Sequence, residues 1–267
     1  MKVRIKFKKY GIIKFIGHLD VMRSFQKNFR RAGIDVAYSK GFSPHQLMSF
    51  SSPLGVGIAS DGEYLDLTVN SITTRQDMMD KINSTSVEGI DIVDIVLLNE
   101  KAQNSMSIVK AADYVVSIRD SAYEKCENKP SFEEVKDKFD EFMTNKSIIV
   151  TKKTKKSEMD IDIRPLIYKY SFGQPLNDSV IEKYDNGIQI FMTISSGSND
   201  NLKPELVMDA FCKFAGYDFG EYGFSYHRNN IYSVKEEVED ATHITTDILI
   251  PLSEVDVDHE QTDFYQS

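Results

Sequence analysis

The sequence predicts an α+β protein made of two tandem halves, each with the element order β-α-β-β-α-β and an antiparallel sheet carrying its helices on one face. Three observations support this. Strict alternation of apolar and polar residues marks a first strand. Apolar residues spaced three and four apart mark an amphipathic helix soon after it. A similar succession of strand and helix signals returns beyond a polar junction near Lys101–Ser107. A length of 267 residues suits one large or two small domains.

In the first half, Val3–Lys9 reads as a strand, with Val3, Ile5 and Phe7 on one face and Lys2, Arg4, Lys6 and Lys8 on the other. Ile12–Ile16 reads as a short extended piece after Gly11. Leu19–Ala32 reads as a helix whose Met22, Phe25, Phe29 and Ala32 form one apolar stripe, ended by a left-handed Gly33. Ile34–Tyr38 reads as a strand. Met48–Ala59 and Glu63–Val69 read as extended structure turning at Asp61-Gly62. A helix over Thr74–Asn83 and a strand over Ile90–Leu98 complete the half. The order is that of the split, ferredoxin-like unit.

The second half opens with a strand at Tyr114–Arg119 and a helix from Ser131 to Met143, with Glu134 placed for a capping box. Ser147–Lys152 and Glu158–Ile163 read as a hairpin across Lys152, Lys153, Lys155 and Lys156. A strand at Ile188–Ser195, a helix at Pro204–Ala215 and a strand or hairpin at Gly223–Val234 follow. The expected domains are therefore residues 1–100, residues 108–235, and an acidic tail at 236–267. That tail holds ten acids and one Lys from Lys235 onward, and Ile248–Ile250 within it suits a short edge strand.

Charge is unevenly spread. Residues 1–60 hold eleven Lys and Arg against two acids, a net of +9, while the whole chain is −9, so the remainder sums to −18. Such asymmetry points to a surface that faces a polyanion. Cys126 and Cys212 are too few and too far apart for a disulfide framework, a zinc finger or a cluster motif, and no apolar run approaches a membrane span. A soluble, cytoplasmic protein is expected, with no membrane partner, no metal and no cofactor of its own. No P-loop or glycine-rich dinucleotide motif is present.

The candidate binding residues cluster early. His18 and Asp20 stand where the first helix begins, a place that attracts anions. Asp20 also suits a helix cap, and His18 suits either a structural role or that of a phosphate donor or general base. Arg23, Lys27, Arg30 and Arg31 lie opposite the apolar stripe, and read either as a solvated face or as a row of phosphate contacts. Tyr38, Lys40, Gly41, Phe42 and His45 form an aromatic, basic loop with Pro44. Its rings would stack on unpaired bases or pack on the helix. His18, Asp20 and His45 are the candidate catalytic residues; as metal ligands their spacing favours nothing. Lys152, Lys153, Lys155, Lys156 and Arg164 form a second basic group.

The run Gly17-His18-Leu19-Asp20, Arg23, Arg30-Arg31-Ala32-Gly33 and Ala37-Tyr38-Ser39-Lys40-Gly41-Phe42-Ser43-Pro44-His45 resembles the bacterial radical SAM-linked proteins. So do Ser52–Gly57, Gly62–Asp66, Asp160–Ile167 and Leu202–Glu205, and the likeness spans roughly residues 2 to 235. Gly17 and Gln46 depart from the usual Ser and Pro. That family is a domain of unknown function, found alone or attached to B12-binding-type radical SAM proteins. The resemblance implies a separately encoded radical SAM partner, since this chain has no three-cysteine motif. The expected function is that of a non-catalytic accessory protein that binds or presents RNA. The alternatives are a stand-alone RNA-processing enzyme using His18 with Asp20 or His45, and a protein-interaction scaffold.

Overall fold

The structure is a computed structural model that describes residues 1–153, 158–173, 179–198, 200–235, 238, 240–259 and 264. It is a mixed helix-and-strand protein. Its elements are β1 (Lys2–Lys9), α1 (His18–Arg31), β2 (Met48–Phe50), β3 (Ala59–Thr68), α2 (Arg75–Thr85), β4 (Ile90–Leu98), α3 (Ser105–Ile108), β5 (Ala111–Ile118), α4 (Asp120–Tyr123), α5 (Phe132–Met143), β6 (Ile149–Lys153), β7 (Glu158–Asp162), β8 (Ile167–Phe172), β9 (Gln189–Ser195), α6 (Pro204–Ala215), β10 (Phe224–Val234) and β11 (Leu249–Pro251). The chain divides into two compact units. The first holds Met1–Val109, Asn230–Ser233 and the described residues after Leu249; the second holds Lys110–Asn229 and Val234–Leu249.

In the first unit β1 lies between β4 and β3, antiparallel to both, and β2 pairs antiparallel with β3. Val3, Ile5 and Phe7 of β1 meet Phe25 and Phe29 of α1 and Met78 and Ile82 of α2 in one core. The alternation of β1 aims these residues at the helices, and the spacing in α1 aims its rings back. Phe25 stacks edge-on against Phe7 at 4.8 Å and Phe50 at 5.7 Å. Gly33 takes φ +66° just beyond the helix, the left-handed conformation that ends it. Thr74 caps α2 by accepting from the Asp77 amide.

The opposite face of β1 differs from expectation. Its cations do not form an open basic surface; each has an internal partner. Arg4 is 1% exposed and forms a fork on Asp66, with Nε–Oδ1 at 2.8 Å and Nη2–Oδ2 at 3.2 Å. Its Nη1 donates to the carbonyls of Leu252 at 2.8 Å and Val255 at 3.1 Å. Lys2 donates to the Ala102 carbonyl, Lys8 pairs with Asp61 at 3.4 Å, and Lys6 lies over the Tyr64 ring. Burial lowers the Lys6 pKa, and Asp94 and Asp61 oppose that shift.

The expected tail explains the coverage. Residues 250–259 and Phe264 belong to the first unit, Leu252 is fully buried beside Tyr64 and Ile231, and Phe264 joins the core under α1. Arg4 is met by backbone carbonyls of this segment rather than by its carboxylates. The acidic composition masked a few well-spaced apolar residues that dock. β11 pairs with β10, the edge-strand role that Ile248–Ile250 suggested.

Other boundaries also moved. Gly11–Phe15 is a 3-10 turn rather than extended chain. Ile34–Tyr38 makes only the isolated bridges Val36–Val69 and Tyr38–Gln46. Asp61-Gly62 lies inside β3, not at a hairpin tip. The pairing slips there, from Phe7 opposite Glu63 to Lys9 opposite Ser60, so the dipeptide is absorbed as a bulge.

In the second unit β9 lies between β5 and β8, antiparallel to both, with β10 beside β5. Helices α5 and α6 cover one face, where Phe139 and Phe211 meet Tyr114, Val116, Ile190 and Met192. Ser131 and Glu134 form the expected capping box. β6 and β7 make a separate antiparallel pair; Lys155, Lys156 and the Lys153 side chain lie outside the described residues.

Candidate nucleic-acid interface

Helix α1 separates its two faces cleanly. Val21, Phe25, Asn28 and Phe29 are buried, while Arg23, Lys27, Arg30 and Arg31 are exposed on the other side. At the α-helical rise, Arg23 to Arg30 spans about 10 Å. Two of these cations are engaged: Arg23 pairs with Asp20 at 3.2 Å, and Arg31 donates to the Thr85 carbonyl at the end of α2, at 2.7 Å. Among the described residues Lys27, Arg30 and Lys40 have no ion-pair partner. Asp20 does not cap the helix by a side-chain bond; it sits in the first turn, where a carboxylate opposes the positive helix end.

The loop from Tyr38 to His45 stands beside this helix. The buried Gln46 makes the joint, because its Nε2 donates both to the Gln26 carbonyl of α1 and to Tyr38 Oη, each at 3.3 Å. Within the loop Ser39 and His45 close a tight ring: Ser39 N donates to His45 O at 2.8 Å, His45 N donates to Ser39 Oγ at 3.1 Å, and Oγ lies 2.8 Å from His45 Nδ1. Gly41 takes φ +111° at the tip. Phe42 is fully exposed, so it does not pack on the helix, and Tyr38 is half-exposed. Sequence reasoning named these loop residues but not Gln46 as the piece that ties them to α1.

His18 lies elsewhere on the unit. As the first residue of α1 it stacks edge-on against Phe50 at 4.9 Å and lines a narrow recess with Lys9, Glu63, Pro53 and Leu54. The recess has about 10 Å³ of free space, room for about one water. Burial, and then the charge of Lys9, push the imidazole below its ordinary pKa. Lys9 and Glu63 are both buried, and Lys9 donates to the Ile16 carbonyl at 3.3 Å. His18, Asp20 and His45 thus have separate partners: an aromatic ring, an arginine and a serine. Among the described residues no three of His, Cys, Asp and Glu gather as a metal-ligand group.

The second basic group belongs to the other unit. Lys152 donates to the Asn201 carbonyl at 3.3 Å, and Arg164 Nε donates to the Met143 carbonyl at the end of α5 at 3.1 Å. Arg164 therefore caps a helix. Burial pushes the Cys212 thiol up to about 12, too high for a thiolate nucleophile near neutral pH.

Apart from Cys212, these residues fall within a bacterial sequence pattern that covers residues 2–204, described as an uncharacterized protein conserved in bacteria, DUF2344. The chain belongs to the DUF2344 family. The matched span takes in all of α1, the Tyr38–His45 loop and the His18 recess, and ends at the first residue of α6. No curated protein matches this DUF2344 chain. Among the described residues no helix is long and apolar enough to cross a membrane.

Proposed function

We propose that this chain is an RNA-binding accessory protein of the cytoplasm that presents RNA to a separately encoded radical SAM enzyme. One observation carries the RNA part. The cations of β1 are engaged inside the fold, so the exposed positive charge of the first sixty residues is concentrated on α1 and the adjoining loop. There Lys27 and Arg30 are exposed on α1, and Lys40 and the unpacked ring of Phe42 are exposed on the loop that Gln46 ties to that helix. Arginine and lysine meet phosphates while an exposed ring stacks on an unpaired base. The radical SAM partner rests on the motif resemblance, and a radical SAM reading frame beside this gene would support it. We also read each unit as a ferredoxin-like fold. Support comes from the antiparallel order β4-β1-β3-β2 in the first and the order β10-β5-β9-β8 in the second, where β9 is antiparallel to β5 and β8.

The test is a salt titration of binding to single-stranded RNA. For single strands, log affinity falls against log salt by about 0.7 per phosphate contacted. Arg30→Ala lowers that slope by about 0.7. Phe42→Ala weakens binding by about 1–3 kcal/mol and leaves the slope alone. Absence of RNA binding at low salt sinks the reading.

A second reading is favoured by the His18 recess: a stand-alone RNA-processing enzyme. A half-buried imidazole that is largely neutral at working pH, beside a buried Lys9 and Glu63, is suited to proton transfer. RNA cleavage or modification by the purified protein, lost in His18→Ala, would establish it.

A further inference from the structure

The sheet of the second unit presents a groove on the face opposite α5 and α6. Ala112, Tyr114 and Val116 of β5 and Ile190, Met192 and Ile194 of β9 belong to the helix-covered core. Strand alternation therefore turns Asp113, Phe191 and Thr193 to the other side. The register places them in two rows. Ser171, Phe191 and Val115 are cross-strand neighbours, as are Lys169, Thr193 and Asp113. Asp113, Lys169, Ser171, Phe191 and Thr193 line a groove of about 170 Å³ with Asn229 of β10.

Its chemistry is specific. Phe191 is half-buried and gives the groove an aromatic floor. Thr193 Oγ1 donates to Asp113 Oδ1 at 2.6 Å, which orients the carboxylate. The Asn229 amide both donates and accepts, Ser171 brings an exposed hydroxyl, and Lys169 brings an exposed ammonium. A carboxylate at the wall disfavours a simple aromatic acid and favours a ring bearing N–H donors. The lysine favours an anionic substituent on that ring. The volume is below the roughly 300–1,000 Å³ of drug-sized sites, so one planar heterocycle fits better than a large cofactor.

We propose that this groove binds one nucleobase stacked on Phe191, its edge met by Asp113 and Asn229 and its phosphate by Lys169. The base belongs to a free nucleotide or to single-stranded RNA. The inference deepens the RNA reading and, for its RNA form, rests on it. Sheet-face aromatics are a general means of holding unpaired bases.

The test uses the full chain with AMP, CMP and a short single-stranded oligoribonucleotide as probes, and ribose 5-phosphate as the control without a base. Both nucleotides or either one should bind, and ribose 5-phosphate should not. Phe191→Ala should weaken binding about 10-fold or more. Phe191→Leu, which retains the apolar bulk, should weaken it similarly while leaving the melting temperature unchanged. Oligonucleotide binding that responds to Arg30→Ala but not to either Phe191 variant overturns the base site and leaves the RNA reading standing. Nucleotide binding lost in Phe191→Leu, with the oligonucleotide not bound at all, supports the base site for free nucleotides and removes the RNA reading. Equal binding of ribose 5-phosphate and AMP overturns the proposal.

Discussion

Replacing Arg4 with Ala tests the most concentrated set of interactions in the first unit. The guanidinium makes four hydrogen bonds, two to Asp66 and two to the carbonyls of Leu252 and Val255. Without it, Asp66 keeps the Ser105 amide at 3.0 Å but remains buried and charged. Removing one partner of a buried ion pair costs about 3–5 kcal/mol. The upper part of that range applies, because two backbone carbonyls also lose their donor. Against a domain stability of about 5–15 kcal/mol, this is a third or more of the total. Urea unfolding followed by circular dichroism measures the loss. Amide exchange locates it: the Asp258 amide, which donates to the Leu97 carbonyl at 2.9 Å, should lose its protection first. Arg4→Lys should recover little, since an ammonium cannot make the planar fork. A change below about 1 kcal/mol, with Asp258 still protected, would refute the reasoning.

Two other outcomes follow from the same unit. Phe29→Ala, at a fully buried site within the α1 ring cluster, should destabilise by about 3–5 kcal/mol in the same assay, and a loss under about 1 kcal/mol would mean the cavity closes. The His18 imidazole should titrate below its ordinary 6.5, as read by its ring proton resonances. Because the folded value is the lower one, the unfolded chain binds more protons just below pH 6.5. The stability attached to neutral His18 is therefore full above that pH and is lost as pH falls through the folded value. His18→Gln should flatten that part of the profile, and an unchanged slope would show that other groups cause it.

Helix α1 was legible because its information is local: rings at positions 25 and 29, cations at 23, 27 and 30, and Gly33 all act within a few turns. β4 and α6 were legible for the same reason, bounded by turn residues and a proline. Arg4 was not. Alternation reports which face of a strand a residue occupies, and cannot report that a segment 248 positions later covers that face. Asp61-Gly62 misled because a dipeptide that favours hairpin tips also suits a bulge. β8 carries a usable signal, Tyr170 and Phe172 alternating with Lys169 and Ser171, but it is six residues long and follows Pro165. Of the candidate site, the exposed stripe and loop were readable from composition. The recess that joins His18 to Lys9 and Glu63 required β1 and β3 to be placed side by side.

The reach of Arg4 to Leu252 also bears on how the protein is made. At about 5–20 residues per second, a ribosome needs roughly 12–50 s to travel from one to the other. Throughout that interval the guanidinium lacks the two carbonyls of Leu252 and Val255, and the site that Leu252 will fill beside Tyr64 stays open. The second unit, drawn from Lys110–Asn229 and Val234–Leu249, has all its residues in hand before Leu252 is added. The part of the chain translated first is thus the last to close. Nascent chains halted after the second unit should therefore expose an unfinished apolar face to chaperones.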